Sequence, residues 1–191
     1  AGVDFNSDST TEEAISQACQ AIRESGTRQV LATLITDEIE AMQRRAKRLV
    51  RAIERYSEVR EVIAGLHLEG PFISPVRGYV GAHPVAAVRP ATVDAAKRLL
   101  ESCGGDAKLI TLAPECDSDC ATTRMLADQG IRVAAGHCDP TGDQLDRAID
   151  AGLTLFTHLG NGCPLELGRH DNVIQRVLSR SDRIRPCFIE H

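Results

Sequence analysis

Aromatic residues are scarce in this 191-residue sequence, where they make up 3% of the chain and tryptophan is absent. Proteins that bind nucleic acids usually present a basic surface and aromatic rings on which bases stack. This chain instead carries a net charge of −5, so a nucleic-acid partner is not expected. A small anionic ligand stays compatible with the composition, because such a ligand needs only a local cationic pocket.

Long apolar runs are also missing. None approaches the roughly 20 residues that span a bilayer, and the first residues lack the basic and apolar regions of a signal peptide. The seven cysteines form no CxxC pair and are odd in number, which favours reduced thiols over a disulfide framework. We therefore expect no membrane partner and a cytoplasmic location.

The hydrophobic share of 42% is large enough for a substantial core. Apolar runs rich in β-branched residues alternate with longer amphipathic stretches, a pattern typical of βα units around a parallel sheet. Strands are predicted at 29–35, 62–69, 108–113, 131–136, 153–158 and 183–189, and helices at 10–25, 37–56, 91–103, 118–129, 140–151 and 172–180. Asp139 before Pro140 predicts the start of the fifth helix, because Asp caps free amides and Pro suits the first helical position.

Two further features concern function. Residues 70–90 form the one long irregular connection, and a loop of that length inside a compact domain is usually functional. Three predicted strands end on a side chain that can bind a metal: Glu69 closes VIAGLHLE, His137 follows VAAG, and His158 ends LTLFTH. In a barrel of parallel strands such side chains meet at one mouth, because the C-terminal strand ends lie together there.

Two imidazoles and a carboxylate are a frequent ligand set for a catalytic divalent ion. Each residue also has an ordinary alternative, since a histidine at a strand end is often a hydrogen-bonded core residue and a glutamate is often an ion-pair partner. The pattern by itself leaves both interpretations open.

Several stretches together resemble the N-acetylglucosamine-6-phosphate deacetylases, members of the metal-dependent amidohydrolase superfamily. They are GLHLEGPFIS at 65–74, GAHP at 81–84, TLAPE at 111–115, AAGHCDPT at 134–141 and THLGNGCP at 157–164. Shorter likenesses, AGVDFN at 1–6 and LATLIT at 31–36, extend the match over nearly the whole chain. The resemblance implies a TIM-type (β/α)8 barrel, of which this sequence supplies about six of the eight βα units.

By resemblance, Glu69, His137 and His158 correspond to the three protein ligands of the family's catalytic metal. One divalent ion is implied, with zinc as the first choice and iron, manganese or cobalt as alternatives, because the same ligands accept all four. His83 falls where the family contacts the sugar.

The resemblance also implies a phosphate site. Asn161 and Gly162 fall where main-chain and side-chain groups of the family meet the substrate phosphate. Arg169 matches an arginine that reaches this phosphate across a dimer interface, and its planar fork suits phosphate oxygens. Its alternative is a surface ion pair. The expected partners are therefore a small amino-sugar phosphate and, in the full-length protein, a second copy in a homodimer.

The reaction implied is hydrolysis of N-acetylglucosamine 6-phosphate to glucosamine 6-phosphate and acetate. Two alternatives stay open: an amidohydrolase acting on a different N-acyl or cyclic amide substrate, and a non-catalytic sugar-phosphate-binding barrel. Gly162 and Cys163 stand where the family commonly has alanine and methionine, so the substrate preference could differ.

Residues 1–191 are expected to be an internal fragment of the barrel catalytic domain. The first and last barrel strands and the family's β-sandwich domain are expected to lie outside this sequence. The catalytic aspartate, which closes the last strand in the family, is expected beyond residue 191, so the fragment alone should be inactive.

Overall fold

Six parallel strands form one sheet in the computed structural model, which describes residues 2–189. The strands are β1 (Val30–Ile35), β2 (Ile63–Glu69), β3 (Ala107–Leu112), β4 (Arg132–Ala135), β5 (Leu153–Phe156) and β6 (Arg185–Pro186). Their order in the sheet is their order in the chain, and each strand pairs in parallel with the next. Because neighbouring parallel strands need a crossover between them, a helical segment separates each pair.

The helices of the described residues are α1 (Glu12–Glu24), α2 (Ile39–Arg55), α3 (Ser57–Val62), α4 (Val93–Leu100), α5 (Ala121–Asp128), α6 (Gly142–Asp150) and α7 (Val173–Leu178). None of them has the length and apolar character needed to cross a membrane. The core lies between the sheet and these helices, and its largest fully buried side chains include Phe72, Leu34, Leu66, Leu68 and Ile110. The predicted α/β class with six strands is confirmed.

The segment after Tyr56 and the last strand differ from their predictions. The stretch after Tyr56 forms the separate helix α3, because the extended backbone of Tyr56 (φ −115°, ψ 118°) ends α2 and begins α3. The last strand spans Arg185–Pro186 instead of residues 183–189. Pro186 has no N–H to donate to a neighbouring strand, which limits the ladder at that point.

The start of α6 also differs from its prediction. Its N-cap is Thr141, and neither Asp139 nor Pro140 belongs to the helix. Thr141 Oγ1 accepts a hydrogen bond from the main-chain N–H of Gln144 at 3.2 Å, and Gln144 Oε1 accepts one from the N–H of Thr141 at 2.8 Å. This reciprocal arrangement is a capping box, which satisfies two amides that otherwise lack helical partners.

Thr141→Ala is expected to lower the free energy of unfolding by about 1 kcal/mol, because the cap acceptor is lost. The measurement is chemical denaturation followed by circular dichroism. Thr141→Ser keeps the hydroxyl and serves as the control, with stability close to that of the parent protein. An alanine variant as stable as the serine variant would contradict the assignment of the cap.

Candidate functional site

Glu69, His137 and His158 converge at the C-terminal ends of β2, β4 and β5. His158 Nε2 lies 2.9 Å and His137 Nε2 3.2 Å from Glu69 Oε1, and the two Nε2 atoms are 3.2 Å apart. The three ligand atoms thus lie within 4.8 Å of one another. The structure brings together the three residues whose convergence the sequence predicts, as a triad able to share one metal ion.

The backbone at both histidines adopts a conformation that only a few residues outside glycine use. His137 has a φ of 51° and His158 a φ of 32°. A left-handed backbone costs about 1–2 kcal/mol for an ordinary L-residue, and such residues cluster at functional sites, where surrounding contacts hold them. The two histidines directly follow regular strand pairing, since Ala135 of β4 pairs with Phe156 of β5 two residues earlier in each segment.

Hydrogen bonds fix the tautomer of His137. Its Nδ1 lies 2.9 Å from the carbonyl oxygen of Tyr79 and can only donate there. In the neutral ring the lone pair is therefore on Nε2, directed at Glu69 and His158. An outer partner of this kind is usual for a metal-binding histidine, because it orients the ring and sets the tautomer.

His83 is oriented in the same way. The Thr36 hydroxyl donates to the carbonyl oxygen of Glu69 at 3.1 Å, so the Thr36 oxygen accepts a hydrogen bond from His83 Nδ1 at 2.9 Å. The lone pair of His83 is then on Nε2, which lies 3.2 Å from His137 Nε2. Neutral rings that face each other with lone pairs fit a cation at this position.

The charges of the site agree with this fit. Burial raises the pKa of the Glu69 carboxyl, but the adjacent imidazoles of His137 and His158, which donate to the carboxylate when they are protonated, outweigh burial and hold its pKa well below the usual range. The hydrogen bond to Glu69 raises the pKa of His158. Burial, with repulsion from His137, lowers the pKa of His83 to about 4. The site therefore offers a carboxylate and, at His83, a neutral imidazole at pH 7.

Relatives of known name share most of this chain, although no protein-family model matches it. The N-acetylglucosamine-6-phosphate deacetylase of Bacillus subtilis is 37% identical over 158 residues, which are 82% of this chain and 39% of the relative. The N-acetylgalactosamine-6-phosphate deacetylase of a Shewanella species is 36% identical over 164 residues, which are 86% of this chain and 40% of the relative.

A solved structure has the same fold. It is a variant of the N-acetyl-D-glucosamine-6-phosphate deacetylase from Mycobacterium smegmatis in complex with N-acetyl-D-glucosamine-6-phosphate. It matches 97% of this chain at 30% identity with a TM-score of 0.83. The chain belongs to the N-acetylglucosamine-6-phosphate deacetylase family. It spans 46% of that structure and about two fifths of the two curated relatives.

Because the chain belongs to the deacetylase family, its six parallel strands are part of the family's barrel. The predicted TIM-type class, with about six of the eight βα units, is confirmed by this likeness. The boundaries of the parent domain stay a prediction.

The residues predicted to bind substrate lie at different distances from the triad. His83 is buried, and its ring contacts that of His137 edge-on with centroids 4.3 Å apart. A Cβ on Gly162 would lie 3.2 Å from both the main-chain nitrogen and Nδ1 of His137. Asn161 is exposed, and its N–H donates to the carbonyl oxygen of His158 at 2.9 Å.

Arg169 lies on the exposed loop that follows β5. Within residues 2–189 its side chain forms no ion pair, and its main-chain oxygen accepts a hydrogen bond from Gln175. The described residues therefore lack the surface ion pair that was the alternative role of this arginine. Among the described residues the guanidinium of Arg169 has no acidic partner, which is compatible with a role in binding an anion.

A polar cluster that the sequence does not predict lies beneath the triad. His67 Nε2 lies 2.8 Å from Thr111 Oγ1, and His67 Nδ1 lies 3.2 Å from Thr33 Oγ1. Thr111 Oγ1 in turn lies 2.7 Å from Thr157 Oγ1. Threonine is common in strands for steric reasons, so the sequence contained no signal that these hydroxyls face one another. The cluster connects β1, β2, β3 and the segment after β5 inside the barrel.

Proposed function

We propose that the full-length protein hydrolyses the N-acetyl group of N-acetylglucosamine 6-phosphate, giving glucosamine 6-phosphate and acetate. The observation that carries this proposal is the triad of Glu69, His137 and His158, whose ligand atoms lie within 4.8 Å of one another. The names of the relatives support the reaction, since both curated proteins described above are deacetylases of amino-sugar 6-phosphates.

The triad would hold one divalent ion, for which zinc is our first assignment and iron, manganese or cobalt are alternatives. A bound ion of this kind polarises an amide carbonyl and lowers the pKa of a coordinated water. Glu69 supplies the one negative charge of the set, so a dication keeps net positive charge at the site. Tyr79 holds the ring of His137 in place through its carbonyl oxygen.

His83 would bind the sugar beside the triad. The Thr36 hydroxyl oxygen accepts a hydrogen bond from His83 Nδ1. Burial keeps the ring neutral because it lowers the pKa of His83 to about 4. Its Nε2 is therefore an acceptor at pH 7 and can receive a hydrogen bond from a sugar hydroxyl or from the amide N–H. The proton for the leaving nitrogen is expected from the aspartate that the family resemblance places beyond residue 191.

The phosphate would bind to Asn161, Gly162 and Arg169. Asn161 and Gly162 contribute through a loop that contacts His137 and His158 directly, which places their main chain next to the triad. Arg169 is exposed, so its guanidinium can extend towards a second copy. In the proposed homodimer each Arg169 pairs with the phosphate bound by the partner.

Arg169→Ala is expected to raise KM for N-acetylglucosamine 6-phosphate by about 10- to 100-fold, the effect of losing a charge-assisted hydrogen bond to the phosphate. The parent protein and the Arg169→Ala variant should hydrolyse the unphosphorylated sugar at equal rates. The measurement is steady-state release of acetate by the full-length protein. Arg132→Ala is the control. Arg132 is also exposed, and it begins β4, at the end of the strand that is opposite to the triad.

Three outcomes of the assay would change the assignment. Equal rates on the phosphorylated and unphosphorylated sugars would count against a phosphate site and favour another amidohydrolase activity. If N-acetylgalactosamine 6-phosphate is turned over faster than N-acetylglucosamine 6-phosphate, this protein has the substrate named for the Shewanella relative. If the metal-loaded protein binds the sugar phosphate tightly but releases no acetate, the protein is a non-catalytic sugar-phosphate-binding barrel.

A further inference from the structure

Asp139, two residues after the ligand His137, is held by side chains from two other segments of the barrel mouth. Its main-chain N–H donates to Oε1 of Glu115 at 2.6 Å. Glu115 lies in the segment that follows β3. Asp139 Oδ1 accepts a hydrogen bond from Nη1 of Arg176, on α7, at 2.7 Å. The same Nη1 donates to the carbonyl oxygen of Pro140 at 2.9 Å. The short segment after His137 is thus fixed through both main chain and side chain.

Arg176 connects this segment to the loop after β5. Its Nε and Nη2 donate to the two carboxylate oxygens of Asp171 at 2.6 and 2.8 Å. Asp171 lies on the loop that carries Asn161 and Arg169. The Arg176 side chain is only 17% exposed, and a planar guanidinium holds two acceptors in fixed directions. One side chain therefore sets the position of the β4 segment relative to the proposed phosphate-binding loop.

Tyr79 holds the ring of His137 from the long loop after β2. Its carbonyl oxygen accepts a hydrogen bond from Nδ1 of His137 at 2.9 Å. The backbone two residues after His137 is fixed by the contacts of Asp139. The left-handed backbone of His137, with a φ of 51°, needs such surrounding contacts to persist.

We propose that Glu115 and Arg176 are positioning residues for His137, which act through Asp139 to hold the His137 imidazole in the metal triad. Neither side chain is a ligand, and neither belongs to the triad. The inference rests on the proposed metal site, because it assigns to these residues the orientation of one of its ligands.

The test compares Arg176→Lys with Arg180→Lys in the full-length protein. Arg180 is a matched control: its Nε and Nη2 donate to the two carboxylate oxygens of Asp146 at 2.7 and 2.6 Å, and its side chain is 21% exposed. Lysine keeps the charge of either arginine but loses the fork. Arg180 makes no hydrogen bond to Asp139 or Asp171 within the described residues. Its Nη1 donates to the main-chain carbonyl oxygen of Arg176 at 2.9 Å, so it supports the backbone of α7 but not the guanidinium of Arg176.

Arg176→Lys is expected to weaken zinc affinity by about 10- to 100-fold, the effect of removing support for a ligand. It is also expected to change the visible absorption of the cobalt-substituted protein, which reports ligand geometry. Arg180→Lys should leave zinc affinity and the cobalt spectrum unchanged, even where the two variants lose equal stability. Zinc affinity is measured by competition with a chelating dye.

A second pair of variants tests Glu115 independently. Glu115→Gln keeps an oxygen that can accept the N–H of Asp139, and Glu115 Oε2 has no hydrogen-bond partner in the described residues, so the zinc affinity of the parent protein should be retained. Glu115→Leu removes the acceptor and should weaken zinc affinity as Arg176→Lys does.

Two results would overturn the inference, and they can be told apart. If the parent protein binds zinc and the Arg176 and Arg180 variants bind it equally well, the positioning role is wrong while the metal site stands. If the parent protein itself binds neither zinc nor cobalt, the metal site fails and the positioning role fails with it.

Discussion

Glu69→Gln is expected to abolish stoichiometric binding of a divalent ion by the full-length protein. Glutamine has nearly the same shape, but it removes the one negative charge of the triad and places an amide where two imidazole nitrogens lie 2.9 and 3.2 Å from a carboxylate oxygen. Because loss of an outer partner of a metal ligand already costs about 10- to 100-fold in affinity, loss of the ligand itself should cost at least about 100-fold.

The measurement is metal content by elemental analysis, together with a competition titration for zinc. His158→Ala should lose the ion as well, whereas Glu40→Gln is the control, since Glu40 is an exposed glutamate paired with Arg98. Equal metal content in the Glu69 and Glu40 variants would refute the triad as a metal site. Acetate release should fall in parallel with the metal content.

Gly70→Ala is expected to be among the most destabilising single substitutions in this chain. Gly70 follows Glu69 with a φ of +87°, and a Cβ there would lie 2.0 Å from Thr36 Oγ1. The Thr36 side chain would have to move, and its hydrogen bonds to the Glu69 carbonyl and to His83 would be lost. We expect a loss of about 4 kcal/mol, of which about 1–2 kcal/mol comes from the left-handed backbone.

Gly105→Ala is a closely matched control for this substitution. Gly105 has a φ of +88°, and a Cβ there would meet no atom within 4 Å, so its variant measures the backbone cost alone. Denaturant unfolding of both variants gives the difference that is due to Thr36. If the two variants lose the same free energy of unfolding, the close contact between Gly70 and Thr36 does not exist in solution.

Most strands and helices of this protein were predictable because hydrophobic periodicity reports burial. The predicted strand at 62–69 differs from β2 by one residue, and the predicted helix at 10–25 differs from α1 by only one or two residues at each end. Helix α3 is not among the predicted elements, because the predicted helix ends at residue 56 and the six residues of α3 are too few to show a helical period. The sequence predicts Asp139 as the cap of α6, whereas the N-cap in the structure is Thr141.

The identity of the triad also followed from the sequence, because parallel strands bring their C-terminal ends to one edge whatever the details of packing. Glu69 ends one such strand, and His137 and His158 each lie two residues after the end of another. The similarity to known deacetylases places this chain in their family. The strand pattern alone left the ordinary alternatives for these residues open, and the family resemblance singled them out as a set of metal ligands.

Only the tertiary structure decided how the ligands are held. The carbonyl oxygen that orients His137 belongs to Tyr79, 58 residues away, and the guanidinium that holds Asp139 belongs to Arg176, 37 residues away. Hydrogen bonds across such separations depend on loop conformation and leave no periodic signal along the chain. The sequence by itself therefore determined which residues form the candidate site, and the packing of the loops determined the orientation of their side chains.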